Sequence, residues 1–214
     1  MLDKVLTIAS FANEVVEYFD NYDAKFAESE IWFDYTRDGK VIAKEYFDNN
    51  CHRIPSTVGL WIRHTCHPSA IRTCLVFLSA IEALCFTQVT QFINRDTGST
   101  AIVSIGIKPS IAQVMQLKTI FPNAKFDLAF GNDMMSSILD CTVALWLAGK
   151  EARFKLMESG ICIRYGHSQQ LVESTKLSLS SFQKMFGIRS SFRTCKPPRN
   201  YTAFREMLLK GLPV

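Results

Sequence analysis

The chain has 214 residues, of which 48% are hydrophobic and 21% charged, and its net charge is +4. That is enough apolar material for a packed core, in one large domain or in a small one joined to a larger one. No apolar run reaches the roughly 18–20 residues that cross a bilayer, and the opening "MLDKVLTIASFANEVVEYFD" lacks the basic start and clean apolar run of a signal peptide.

Seven cysteines at irregular spacing, with Cys74, Cys85 and Cys141 inside apolar segments, fit small core residues in a reducing compartment better than a disulfide framework. The expectation is a cytoplasmic protein without membrane contact. Charge is uneven along the chain. Residues 1–50 hold five Lys/Arg against eleven Asp/Glu, net −6, residues 51–150 are +3, and residues 151–214 are +7. A basic last third suits a phosphate-bearing partner, and the bland alternative is an ordinary solvated face.

Residues 2–20 place Leu2, Val5, Leu6, Ala9, Ala12, Val16 and Phe19 at helical spacing, which predicts an amphipathic helix. "IWFDYTRDGKVIAKEYF" reads as two strands around Asp38-Gly39, a dipeptide that supplies the positive φ of a tight hairpin turn. "VGLWIRH" is a further short strand. These segments make an N-terminal α+β region over residues 1–70, and Pro68 interrupts regular structure near its end.

From residue 71 to 214 the pattern is α/β. "TCLVFL", "STAIVSIG" and "KFDLAF" are continuous apolar strands, and each is followed by a helix. "KPSIAQVMQLKTIF" carries Ser110 as a helix N-cap, and the helix in "MSSILDCTVALWLAG" ends at Gly149. "ICIRY" is the candidate fourth strand. Strand–helix alternation with unbroken apolar strands predicts a parallel sheet flanked by helices. Sites in such sheets lie at the C-terminal strand ends, here Leu78-Ser79, Gly106-Ile107-Lys108 and Gly131-Asn132-Asp133.

Three further groups of residues carry possible chemistry. Cys51, His52, His64, Cys66 and His67 are zinc-type ligands, but their spacing is unlike the common paired patterns, and the plain reading is surface histidines beside buried cysteines. The turn Gly106–Ser110 sits at a helix start, where free N–H groups and Lys108 suit a phosphate. "GIRSSFRTCKPPRNYTAFR" interleaves Arg189, Arg193, Lys196, Arg199 and Arg205 with Phe192, Tyr201 and Phe204. That mixture suits single-stranded nucleic acid, unless the aromatics pack inward.

The order of these segments resembles the Toprim domain of DnaG-type primases, topoisomerases and related nucleases, and looks most like the primase-like Toprim proteins of plasmids and mobile elements. The helix that begins Leu78-Ser79-Ala80-Ile81-Glu82-Ala83-Leu84 is similar to that family's first motif, with Leu78 where the family has its catalytic glutamate. Val103-Ser104-Ile105-Gly106 matches the glycine-ended second strand. Ala129-Phe130-Gly131-Asn132-Asp133 resembles the magnesium-binding Asp-x-Asp motif, with Gly131 at the first aspartate and Asp133 at the second. Thr202–Leu208 looks like a worn terminal motif, with Ala203 at its aspartate.

The resemblance covers roughly residues 72–208. It implies a Toprim-like scaffold and a role in binding DNA or RNA, or a partner in replication or mobilisation. Magnesium prefers several hard oxygen ligands, and only Asp133 remains of the metal set, so the expected function is a catalytically degenerate module with no cofactor. In that reading Lys108, Arg189, Arg193, Lys196, Arg199 and Arg205 bind nucleic acid, and Asp133 is a helix cap. The alternative is a residual Mg2+-dependent nucleotidyl transferase or nuclease using Asp133 as metal ligand and Glu82 as its catalytic companion.

Overall fold

The computed structural model describes residues 6–20, 24–27, 30–48, 51–95, 98–189 and 191–211. It is a mixed α/β protein in which a five-stranded sheet separates two apolar cores.

The N-terminal part begins with α1 (Asn13–Asp20). Of the helix expected over residues 2–20, residues 2–5 lie outside the described residues, and from residue 6 onward only Asn13–Asp20 are α-helical. Among the described residues a single 3-10 turn, Ile8–Ser10, precedes it. Ser10 Oγ takes the Thr7 N–H, and the Ala12 N–H is taken by Gln88 Oε1. A hydroxyl that bonds the local backbone in this way competes with helical continuation.

β1 (Ala24–Phe26), β2 (Glu30–Arg37), β3 (Lys40–Asp48) and β4 (His52–Arg53) form an antiparallel sheet in that order. Its central hairpin turns at Asp38-Gly39, both with positive φ, as the sequence predicts. Along β3 the side chains alternate, so Glu45 and Phe47 face inward, and Glu45 pairs with the buried Phe33 of β2.

The large sheet runs β12-β8-β6-β7-β5. β6 (Thr73–Phe77), β7 (Thr100–Ser104), β8 (Lys125–Leu128) and β12 (Arg193–Thr194) are parallel, and β5 (Trp61–His64) is an antiparallel edge. β5 lies on the N-terminal side of the expected join at residue 70, yet it is bonded into this sheet. β6 and β7 are buried on both faces, which explains their unbroken apolar sequence. Cys74 and Val76 enter one core, Leu75 and Phe77 the other.

On the first face lie α3 (Ile111–Ile120) and α4 (Met134–Leu147), and on the second lies α2 (Ala80–Thr90), against α1 and α6 (Phe204–Gly211). α2 is apolar nearly all round, and seven of its eleven residues are buried, as suits a helix enclosed by neighbours. The caps at Ser79, Ser110 and Asp133 start α2, α3 and α4.

"ICIRY" does not join the parallel sheet. It is β10 (Gly160–Tyr165), the centre of an antiparallel sheet with β9 (Arg153–Met157) and β11 (Ser168–Val172). Short turns on both sides, Glu158-Ser159 and Gly166-His167, leave no crossover for a parallel return. The fourth parallel strand is instead the two-residue β12, after α5 (Leu179–Met185).

Candidate functional site at the strand ends

The three strand ends picked out by the sequence are each closed by another part of the same chain. At the end of β6 the occupant is Glu45, a residue that sequence reasoning passes over. Its Oε2 accepts from Tyr35 Oη at 2.7 Å and Ala80 N at 2.8 Å. Its Oε1 accepts from Ser79 Oγ at 2.5 Å, His52 Nε2 at 2.9 Å and Ile81 N at 3.2 Å. The carboxylate thus fills the positive N-terminus of α2, where a free anion would otherwise bind. Burial pushes the Glu45 carboxyl up, but the bonds from His52, Ser79 and Tyr35 outweigh it and hold it below the ordinary carboxylate range.

This network reaches further. Tyr35 Oη lies 2.6 Å from Ser104 Oγ at the end of β7. On the other side Arg205 of α6 is 3.0 Å from His52 Nδ1. A guanidinium only donates, so Nδ1 accepts and Nε2–H is left to donate to Glu45. Glu82 is half-buried, and its Oε2 takes the Arg205 backbone N–H at 3.2 Å. Burial raises the Glu82 carboxyl, with Arg205 opposing. Glu82 therefore anchors α6 to α2. Leu78 packs against the first core.

The β7 end is closed by Pro55. Its carbonyl accepts from Ile107 N at 3.1 Å, and a Cβ placed on Gly106, whose φ is +76°, would lie 2.6 Å from the same oxygen. Of the N–H groups expected to cradle phosphate, Ile107 N is taken by Pro55 and Ser110 N by Gln113 Oε1 at 2.8 Å. Lys108 itself is exposed.

At the β8 end, Gly131-Asn132-Asp133 holds the C-terminal segment. Asn132 N donates to Thr202 O at 2.8 Å, and Asn132 Nδ2 reaches Tyr201 O at 2.8 Å, Pro197 O at 2.9 Å and Pro198 O at 3.3 Å. A Cβ on Gly131 would sit 2.5 Å from Thr202 O, closer than real side chains approach backbone. Asp133 spends both oxygens on Ser136: Oδ1 accepts the backbone N–H at 2.9 Å and Oδ2 the hydroxyl at 2.6 Å. Burial raises its carboxyl, but the Ser136 bonds dominate and hold it below its usual value. Asp133 is a helix cap, as the sequence predicts.

The six candidate phosphate-binding cations divide into two sets. Arg205 is committed to His52. Lys196 donates to Gly131 O at 2.6 Å and pairs with Asp140 Oδ2 at 2.5 Å. Lys108, Arg189, Arg193 and Arg199 are exposed. The interleaved aromatics do not form an open stacking surface: Phe204 is buried, Phe192 packs against the first core, and Lys210 lies over the Tyr201 ring.

Asp140 is the second residue that sequence reasoning misses. It is 1% exposed in the apolar α4, and its Oδ1 has no hydrogen-bond partner among the described residues. Burial, with Lys196 opposing, pushes its carboxyl up to about 7. It lines an open cavity of about 710 Å³ beside β12, together with Lys196, Arg199 and Lys176. Both missed acids carry a legible signal: Glu45 stands at an inward position of an alternating strand, and Asp140 interrupts an apolar helix.

The cysteine–histidine residues do not converge. His52 is bound to Glu45, His64 Nδ1 faces Cys66 O at 2.7 Å, and His67 Nδ1 accepts from Ser69 N. Among the described residues no three His, Cys, Asp or Glu gather as a metal-holding group. All seven cysteines are free thiols, with Cys74, Cys85 and Cys141 buried. No described helix is long and apolar enough to cross a membrane. Compared with protein-family models and with curated proteins, the chain has no match.

Proposed function

We propose that the chain is a nucleic-acid-binding module on a Toprim-like scaffold that lacks phosphoryl-transfer chemistry. The observation that carries this reading is the closure of all three strand ends by Glu45, Pro55 and Thr202. A ground-state phosphate and its metal need open carboxylates and open N–H groups at those ends, and here the Glu45 and Asp133 carboxylates and the Ala80, Ile81, Ile107 and Asn132 N–H groups are spent inside the fold. The Mg2+-dependent alternative asks Asp133 and Glu82 to serve as ligands, yet Asp133 is bound to Ser136 and Glu82 to the Arg205 backbone.

What supports nucleic acid as ligand is the net +7 of residues 151–214 and the exposed Lys108, Arg189, Arg193 and Arg199. A cytoplasmic setting rests on the irregular, partly buried cysteines, and a protein partner in replication or mobilisation on the family resemblance alone. The test is fluorescence anisotropy of labelled single- and double-stranded oligonucleotides over a salt series. Four phosphate contacts give a slope of log K against log salt of about −3 to −4. Replacing Arg189, Arg193 and Arg199 with alanine together should flatten that slope to about −1. A slope unchanged by the triple replacement, or no binding to either strand form, would overturn the reading.

A further inference from the structure

We propose that the cavity beside β12 binds a phosphate monoester carried on a sugar: a nucleoside monophosphate or the phosphorylated end of a strand. The cavity is about 710 Å³, inside the range of small-molecule sites. It opens beside the closed β8 end, with which it shares Asn132, between the start of α5 and the segment after β12.

Its charge selects an anion. Lys176, Lys196 and Arg199 line it against a single acid, Asp140. Lys196 already neutralises that acid and spends a second N–H on Gly131 O, so one of its three donors is left for a ligand. Arg199 is exposed and forms no ion pair among the described residues. Lys176 pairs with the exposed Glu173, a contact that water and ligand readily replace.

The rest of the lining selects against a bare phosphate. Five serine and threonine residues contribute to the wall, and they suit hydroxyls that both give and accept. Asp140 adds an acceptor with an unmet need: its Oδ1 is covered by protein and has no donor among the described residues, so the carboxylate meets a ligand by turning that oxygen toward the cavity it lines. Leaving such an oxygen unpaired is costly, and a sugar hydroxyl supplies the missing donor. Inorganic phosphate meets the cations but brings none of the sugar hydroxyls that the serine and threonine wall suits, while a neutral sugar leaves the cations unmatched. A sugar phosphate answers both. The cavity and its chemistry stand without the nucleic-acid reading, on which only the strand end as a source of the ligand depends.

The test uses the full chain and two matched sets of probes. In the first, adenosine 5′-monophosphate and inorganic phosphate are titrated into isotope-labelled protein and amide shifts are followed. In the second, 3′-labelled oligonucleotides with a 5′-phosphate or a 5′-hydroxyl are compared by anisotropy. Adenosine 5′-monophosphate should move amides in residues 175–180 and 194–199 at lower concentration than phosphate does. Arg199→Ala should weaken it about 10-fold or more. Asp140→Asn, which keeps the side-chain shape, should narrow the gap between the nucleotide and inorganic phosphate.

Tighter binding of the 5′-phosphate strand identifies a strand end as the source, and nucleotide binding without that preference identifies a free nucleotide. Equal binding of both strands with no amide shift at millimolar nucleotide overturns the proposal and leaves the nucleic-acid reading standing. Nucleotide shifts that survive when neither strand binds do the reverse.

Discussion

Replacing Gly131 with alanine tests how tightly the C-terminal segment closes the β8 end. The new Cβ would lie 2.5 Å from Thr202 O. Neither atom is the end of a flexible side chain, so the segment must move. It is held by Asn132 N on Thr202 O, by Asn132 Nδ2 on Pro197, Pro198 and Tyr201, and by Lys196 on Gly131 O. A bond of this kind contributes about 0.5–1.5 kcal/mol net, so losing two or three costs about 2–4 kcal/mol. Gly131 has no positive φ, so alanine fits its backbone and recovers about 0.4–1 kcal/mol by restricting the unfolded chain. The expected net loss is about 1–3 kcal/mol in urea denaturation, with earlier proteolytic cutting in residues 196–203. A variant as stable as the parent, or more stable, would refute the close approach. Gly131→Asp, which introduces the residue that the Toprim motif has at the matching position, should destabilise further and create no magnesium dependence.

Glu45→Gln keeps the shape but turns one acceptor toward donors, and should cost about 2–4 kcal/mol at pH 7. Because the Glu45 carboxyl is held below its ordinary value, its contribution is present above the unfolded value and lost as pH falls through the folded one. The gap between parent and variant should therefore close in acid, read by denaturation between pH 7 and pH 3. Asp140 has the opposite sign. With its carboxyl pushed up to about 7, the fold favours the protonated form, and its contribution disappears as pH rises through that value. Asp140→Asn should stabilise the protein by about 2–4 kcal/mol at pH 8 and by little at pH 4. An unchanged melting temperature at pH 8 would count against it. His52→Ala should loosen α6 and raise hydrogen exchange there before elsewhere, since the Arg205 bond ends on that ring. Uniform exchange along the chain would contradict this.

Much of the scaffold was legible because its signals are local. The hairpin at Asp38-Gly39, the caps at Ser110 and Asp133 and the buried runs of β6, β7 and β8 each arise from short-range chemistry. "ICIRY" was misplaced because an apolar strand reads alike in either kind of sheet. β12 was missed because two residues, Arg193 and Thr194, carry no period to detect.

The site was legible only in outline. The strand ends could be found, but their occupants come from far along the chain: Glu45 bonds Ala80, 35 positions on, and Asn132 bonds the Tyr201 carbonyl, 69 positions on. Arg205 and Lys196 looked like ligand-binding cations because nothing local shows that His52 and Asp140 claim them.

The central claim is that the closed strand ends leave no part for a metal in ligand binding. The most direct measurement is oligonucleotide affinity in millimolar magnesium and in chelator at matched ionic strength, for the parent chain and for Asp133→Ala. The account predicts affinities within about twofold in both buffers and for both proteins, with Asp133→Ala losing only about 1 kcal/mol of stability from its helix cap. Affinity that rises about 10-fold with magnesium and loses that gain in Asp133→Ala would contradict it.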